Sequence, residues 1–376
     1  MDKKDYLFYG MTKDMLKNEL YMLIDNALYK QYGGNISVTI MQRFKEEWAA
    51  IEAKDVFLEI GILYELVMWL KEKEYPYRMR YSAGASFILY LLSITMGNPL
   101  PPHSYCSKCR EIQWKPLCKD GFDLQYLESQ NDSEKQRCCH NDGTSLIYDG
   151  HDIPWQTLWG YGDSYLLLHV ELLKNCYEEV RTWFLSHWLV KSPVQDVTLK
   201  VCDGYEDVWK QVGIGRVHCT FLLESERIGR NGAIVRDKKI LQEWRSLIAD
   251  EVVEDTNLPI PHTFSDLVAI FGMLHGNGTL DESVIYMVET MGYSPSDMIV
   301  FRDDVYRYLR SYDWSEKNPW KGMERVRKGK GLQNVTQEMK AAPDKWVLDR
   351  CKRVMYLPAK ADIVARLFFR LSMMKQ

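Results

Sequence analysis

Apolar residues recur at helical spacing through the first third of the chain. Leu16, Leu20, Leu23, Ile24 and Ala27 fall on one helical face, and so do Ile60, Leu63, Tyr64 and Val67. Asp55 precedes the second run and is the N-cap that pattern predicts. Pro76 interrupts the period. A further apolar helix is predicted from about Ser82 to Met96, stopping before Asn98-Pro99-Leu100-Pro101-Pro102, where the prolines forbid continuation. Residues 103–150 are polar and read as loop. Around Val194 to Leu223 the pattern turns β-like, with Val197-Thr198-Leu199 and Val217-His218-Cys219-Thr220-Phe221-Leu222, the latter bracketed by Gly213, Gly215, Gly229 and Gly232. The last third returns to helix. Thr263 with Asp266 predicts a capping box, with Asp where Glu or Gln is usual. Ile363, Val364, Leu367, Phe368 and Leu371 form an apolar stripe. No internal repeat or low-complexity segment interrupts this.

Composition narrows the picture. With 376 residues, 46% apolar and 27% charged, the chain is globular and long enough for two or three modules. Its best apolar run, Phe87 to Met96, is about half of what a bilayer needs, so no membrane partner is expected. The opening Met1-Asp2-Lys3-Lys4-Asp5 has no signal-peptide core behind it, and the expected location is the cytoplasm. The net charge of −4 hides an asymmetry: from Arg302 to the end there are 18 Lys and Arg against 9 Asp and Glu. A basic end on an acidic body fits a polyanion, although a solvated helical face would show the same charges. Five of the nine cysteines, Cys106, Cys109, Cys118, Cys138 and Cys139, fall in one 34-residue stretch, which in a reducing compartment suggests metal before disulfides. Cys106-Ser107-Lys108-Cys109 is the spacing of half a tetrahedral zinc site. Cys176, Cys202, Cys219 and Cys351 read as buried apolar residues.

Several short motifs occur in a telling succession. Arg80-Tyr81-Ser82-Ala83-Gly84-Ala85-Ser86-Phe87 leads to Asn98-Pro99-Leu100-Pro101-Pro102-His103, then to Gly121-Phe122-Asp123-Leu124 and Gly150-His151-Asp152-Ile153-Pro154. Later come Thr263-Phe264-Ser265-Asp266-Leu267-Val268, Leu274-His275-Gly276, Arg302-Asp303-Asp304 and Val326-Arg327-Lys328-Gly329-Lys330-Gly331-Leu332. In this order they resemble the PolC-type DNA polymerase III alpha subunits, of which the chain looks like a shortened, divergent relative. The resemblance implies a palm-like entry, a replaced middle and part of the fingers, with no room for the family's exonuclease, complete palm or clamp-binding tail.

That resemblance fixes the expected sites. The family holds Mg²⁺ on an Asp-x-Asp pair shortly after Gly-His-Asp-Ile-Pro. The corresponding positions here are Leu167 and His169, neither a ligand for so hard an ion, so Mg²⁺ is not expected and no catalytic residue is assigned. Glu224 with Glu226, or Asp163 and Glu171, are the other carboxylates available for a relocated site. The family's triphosphate lies on a Gly-Ser-rich helix start. Arg80, Ser82, Gly84 and Ser86 remain of it, with Tyr81 in place of a glycine; by themselves these small residues equally suit close helix packing. A second metal pair upstream of Gly-His-Asp-Ile-Pro falls on Cys139 and Asp142. A structural zinc would then take Cys106, Cys109, Cys139 and one of Cys138, His140 or Asp142. The DNA-binding set is Arg325, Arg327, Lys328 and Lys330 in a basic glycine loop, extended by Lys352 and Arg353, with Lys360, Arg366 and Arg370 beyond. A family histidine is Asp362 here. Tyr312, Trp314 and Trp320 suggest either base stacking or core.

The fold expected is α+β and mostly helical. Residues 1–165 would form a helical palm entry with a zinc knob at about 103–150, residues 166–255 a shortened middle with some β structure, and residues 256–376 a helical fingers-like module. The expected function is an inactive polymerase relative that binds DNA weakly and without sequence preference or acts as a replication-associated accessory, with replication proteins as further partners and a mobile element as its source. An active nucleotidyltransferase with relocated carboxylates, or an inhibitor copying the polymerase surface, are the alternatives.

Overall fold

The computed structural model describes residues 11–123, 146–161, 166–186, 199–205, 209–214, 216–222, 244–245, 258–312, 317–332 and 344–373. In chain order the helices and strands are α1 (Lys13–Tyr32), α2 (Val38–Lys54), α3 (Phe57–Glu72), β1 (Tyr77–Met79), α4 (Phe87–Leu91), β2 (His103–Cys106), β3 (Ile112–Trp114), β4 (Leu146–Asp149), α5 (Gln156–Trp159), β5 (Leu168–Leu173), α6 (Tyr177–Phe184), β6 (Leu199–Tyr205), β7 (Trp209–Ile214) and β8 (Val217–Leu222). They are followed by α7 (Phe264–His275), α8 (Glu282–Glu289), α9 (Arg302–Arg310), α10 (Lys317–Arg327), α11 (Lys345–Arg353) and α12 (Lys360–Met373). The expectation of a mainly helical α+β chain holds, with two small sheets. Two compact units divide it. One comprises residues 1–97, 163–235 and 368–376, the other residues 98–162 and 236–367.

In the first unit α1 buries Leu16, Leu20, Ile24, Leu28 and Tyr32, a strict four-residue stripe. Thr12 and Ser37 cap α1 and α2 by accepting the backbone N–H three residues on. Helix α3 is apolar nearly all round and buried accordingly. Asp55 does not cap it. That residue closes α2 in a left-handed conformation (φ 50°) and pairs with Lys13 at 2.6 Å, while α3 starts from Val56 without a side-chain cap. The helix expected over Ser82–Met96 is also broken. A 3₁₀ turn at Ala83–Ala85 gives way to Ser86, whose hydroxyl accepts from Leu89 N at 3.2 Å, and α4 lasts only to Leu91.

The five-stranded sheet of this unit has the order β1-β5-β8-β7-β6. Strands β5 and β8 are parallel, and every other pair is antiparallel. Alternation puts Tyr77, Met79, Leu168, Val170, Leu172, Val217 and Cys219 on one buried apolar face. Arg78, His169, Glu171 and His218 lie on the other, where Arg78 is in register with Glu171 and His169 with His218.

In the second unit β2 is the centre of an antiparallel sheet, β3-β2-β4, within the stretch expected to be loop. Beside it the Asn98–Pro102 segment receives the backbone N–H groups of His151, Asp152 and Ile153. Gly121 has to be glycine here, because a Cβ would lie 1.9 Å from the carbonyl oxygen of Asp149. Thr263 and Asp266 form both halves of the capping box of α7. A core of Val305, Leu309, Met323, Val326, Val347 and Cys351 joins α9, α10 and α11, with Trp320 packed against it.

Candidate functional site

The strand that carries the positions expected to match the family's catalytic pair is β5. Leu167 precedes it and is half-buried; His169 lies within it and is buried. The N–H of Arg80 donates to the carbonyl of His169 at 2.8 Å, extending the β1–β5 ladder. Tyr81 follows at φ 57° and sets its ring edge-on to the His169 imidazole, centroids 5.3 Å apart. The Arg80 guanidinium covers the Tyr81 ring at 5.0 Å. Glu171, the carboxylate nearest these positions along the strand, is 1% exposed. It accepts from Arg80 Nη1 at 2.8 Å and pairs with Arg78, whose guanidinium lies over Phe369. Two cations around one buried carboxylate leave this face with positive charge where a metal site needs negative. Glu224, Glu226 and Asp163 lie outside the described residues.

Ser82, Gly84 and Ser86 come together in one buried turn. Its donors already have an anion. Glu47 of α2, fully buried, accepts from the Ser86 hydroxyl at 2.7 Å and from Phe87 N at 2.9 Å. Arg43 pairs with Glu47 at 2.5 Å and donates to the carbonyl of Ala85 at 2.7 Å. Arg80 stands apart from this arrangement, committed to Glu171. Sequence reasoning passed over Glu47. Its signal was there: it sits on the buried stripe of α2 with Ile40, Phe44 and Ile51, where a charged residue needs a partner.

Cys106 ends β2. Its sulfur accepts backbone N–H groups from Lys108 and Cys109, both at 3.4 Å, and Arg110 turns the chain back at φ 62°. Amide donors aimed at sulfur favour the thiolate that a metal requires, so this turn suits half of a zinc site. Cys118 is half-buried on the following turn. Cys138, Cys139, His140 and Asp142 lie outside the described residues, and the described residues alone provide no group of three ligands.

In the second unit, Arg325, Arg327, Lys328 and Lys330 lie at the end of α10 and in the turn after it, and Lys352 and Arg353 end α11. They are not equally available. Arg327 makes two hydrogen bonds to Glu324, at 2.9 and 2.6 Å, and Arg325 and Arg327 are half-buried; Lys328, Lys330, Lys352 and Arg353 are exposed. Lys360 donates to the carbonyl of His151 at 2.5 Å, and Arg366 pairs with Asp362 at 3.1 Å, so both are internal. His275 packs edge-on to Phe271 at the end of α7. Tyr312 hydrogen-bonds Tyr308, and Trp314 lies outside the described residues.

The same unit contains a buried acidic cluster absent from the sequence expectations. Asp120 accepts from His151 Nδ1 at 2.8 Å, and Asp123 accepts from Ser265 N, at the start of α7, at 2.8 Å. Burial, with Asp120 nearby, pushes the Asp123 carboxyl up to about 7. No helix among the described residues is long and apolar enough to cross a membrane.

The sequence of this chain is similar to a known polymerase class. Residues 18–157 match the bacterial DNA polymerase III alpha NTPase domain. Within that class, the DNA polymerase III PolC-type of Clostridium perfringens is 23% identical, aligned over 93% of this chain and 31% of the relative. The PolC-type polymerases of Staphylococcus aureus strains MW2 and Newman are each 24% identical over 89% of this chain and 30% of theirs. The chain is a distant relative of the PolC-type DNA polymerase III alpha subunits and spans about a third of the length of these relatives. The alignment with the Clostridium protein runs over 461 positions, more than the 376 residues here, so that relative carries insertions against this chain.

Proposed function

We propose that this protein is a non-catalytic polymerase relative that binds DNA through the basic surface of its second unit and serves replication as an accessory. One observation carries the reading. At the two positions aligned with the metal-holding carboxylates stand Leu167 and His169, and the adjacent Glu171 is neutralised by Arg78 and Arg80. A two-metal centre needs negative ligands at that place. The remaining cradle residues, Arg80, Ser82, Gly84 and Ser86, serve packing and internal ion pairs, with Glu47 supplying the anion. DNA contact falls to Lys328, Lys330, Lys352 and Arg353, with Arg325 and Arg327 behind them. The test pairs two measurements on the full chain: nucleotide incorporation on a primed template with Mg²⁺ or Mn²⁺, and binding of labelled DNA at low salt. The expected result is binding without incorporation. Incorporation that disappears in Glu224→Ala/Glu226→Ala would instead assign an active nucleotidyltransferase, and absence of both activities would favour a mimic of the polymerase surface.

A structural zinc on Cys106, Cys109, Cys139 and one of Cys138, His140 or Asp142 is part of this proposal. Its support is the turn at Cys106, where two amides already face the sulfur. When bound, zinc would tie the ends of the 106–142 segment together and contribute its binding energy to folding.

A further inference from the structure

We propose that α8 and the turn after it form a docking surface for a protein partner that presents a basic amphipathic helix. Tyr286, Met291 and Tyr293 supply the apolar ground, and Glu282 and Glu289 receive the partner's cations. This surface stands whether or not the chain binds DNA.

Helix α8 is rich in apolar residues, yet it is scarcely buried. Of its eight residues, Glu-Ser-Val-Ile-Tyr-Met-Val-Glu, only Val284 enters the core. Tyr286 is 57% exposed, and Ile285, Met287 and Val288 are half-buried. Residues three and four apart share a helical face, so the exposed Glu282, Tyr286 and Glu289 form one outward line. The chain after the helix folds back on it. Met291 donates its N–H to the carbonyl of Tyr286 at 3.2 Å, and Tyr293 donates to that of Met287 at 3.1 Å. This return sets Met291, 57% exposed, and Tyr293, 44% exposed, beside the last turn of the helix. Gly292 makes the turn at φ 77°, and the place a Cβ would take there has open space around it.

The exposure does not come from a loosely held helix. Asp281 caps α8 by accepting from Val284 N at 3.0 Å, and its carboxylate pairs with the buried guanidinium of Arg350 at 3.0 Å. The Ser283 hydroxyl accepts from Arg353 at 3.2 Å. Both arginines are thus engaged at the start of the helix. A surface fixed in advance needs little ordering when a partner arrives.

Large apolar side chains held together in water mark a contact surface. Charge selects the occupant. Glu282 and Glu289 stand two turns apart, about 10 Å along the axis. They repel the phosphates of nucleic acid and of an anionic membrane. A helical polypeptide with lysines or arginines two turns apart, and apolar residues between them, matches both ends of the line and its middle.

The test is fluorescence anisotropy of the full chain with a labelled amphipathic helical peptide of leucine and lysine, its lysines two turns apart. Two control peptides carry glutamate for lysine or serine for leucine. The leucine–lysine peptide should bind at least about tenfold more tightly than either control. Tyr286→Ala should weaken it roughly tenfold, the effect of truncating one aromatic anchor. Glu282→Gln/Glu289→Gln should weaken it and remove most of its salt dependence. Met22→Ala, at an exposed methionine of α1, should leave binding within about twofold. The altered side chains are exposed, so every variant should keep the parent's unfolding temperature. Equal binding by the parent and Tyr286→Ala, or equal binding of the lysine and glutamate peptides, would overturn the proposal. A dimer of the chain alone that sediments as monomer after Met291→Lys would assign the surface to a second copy instead.

Discussion

The ring of Tyr81 meets the imidazole of His169 edge-on at 5.3 Å, so the residue expected at a cradle glycine packs on the residue expected at a catalytic carboxylate. The two rings are in direct contact. Neither is neutral alone, because Tyr81 keeps the left-handed backbone (φ 57°) that glycine adopts without cost.

That pairing predicts an order of stabilities. Tyr81→Ala loses the ring contacts with His169 and Arg80 and retains the backbone strain. Tyr81→Gly loses the same contacts but relieves the strain. Glycine should therefore be the more stable variant by about 1 kcal/mol. Thermal or denaturant unfolding checks this, and an alanine variant at least as stable as glycine would contradict the role given to the Tyr81 backbone.

Glu171 predicts a larger effect. Glu171→Gln leaves Arg78 and Arg80 beside a group that no longer carries charge, in a place almost closed to solvent. Breaking a buried ion pair from one side costs about 3–5 kcal/mol. Urea unfolding should show a loss of this order. A change below about 1 kcal/mol would mean that water reaches the cluster.

How much of this was legible in the sequence depended on how local the cause was. The stripe of α1 and the Thr263–Asp266 capping box follow from residues a few positions apart, and both stand as expected. The Ser82–Met96 helix does not. The carboxylate that takes the N–H groups of Phe87 and Ile88 comes from Glu47, some 40 residues earlier, and nothing local announces it. Strand β5 was missed for a similar reason. Its run of leucines fits helix or strand, and its partners β1 and β8 are distant in sequence. Asp55 was misassigned because it lies between two helices, and a polar residue there serves either end. At the candidate site, the capture of Glu171 by two arginines required the sheet register, which no local pattern announces.

Asp123 makes stability depend on pH. Its folded-state carboxyl titrates at about 7, against an ordinary value of 3.8, because burial and Asp120 disfavour its charge. The folded state therefore holds a proton that the unfolded state has released between these values. Stability contributed by this group is present below pH 3.8 and is lost as pH rises through about 7. Asp123→Asn keeps an oxygen for Ser265 N and cannot ionise. Between pH 5 and 8 the parent should lose stability relative to Asp123→Asn, by at most about 3 kcal/mol. Parallel stability curves for the two proteins would show that the carboxyl titrates normally.

Protein purified without chelator should contain close to one zinc per chain by elemental analysis. Cys106→Ser or Cys109→Ser should release the metal and lower the unfolding temperature, since a structural site adds its binding energy to folding. Zinc-free protein that unfolds at the same temperature with and without added zinc would leave the turn at Cys106 as geometry without a metal.

Salt dependence distinguishes a phosphate-binding surface from incidental charge. Lys328, Lys330, Lys352 and Arg353 are the exposed cations of the proposed surface, and each phosphate neutralised releases counterions. Contact with about four phosphates gives log K against log salt a slope of about −3 to −4 on duplex DNA. Lys328→Ala/Lys330→Ala/Arg353→Ala should weaken binding on every sequence alike and flatten that slope by about 3, because these side chains position DNA without reading bases. Arg327→Ala should do less, since both of its hydrogen bonds are spent on Glu324. The acidic remainder of the chain makes the low-salt regime essential: of the −4 net charge, the segment from Arg302 onward contributes 18 cations against 9 anions, so the rest repels DNA over the distance that salt leaves unscreened. A slope unchanged by the triple variant would place any binding elsewhere on the chain and withdraw these three residues from the function.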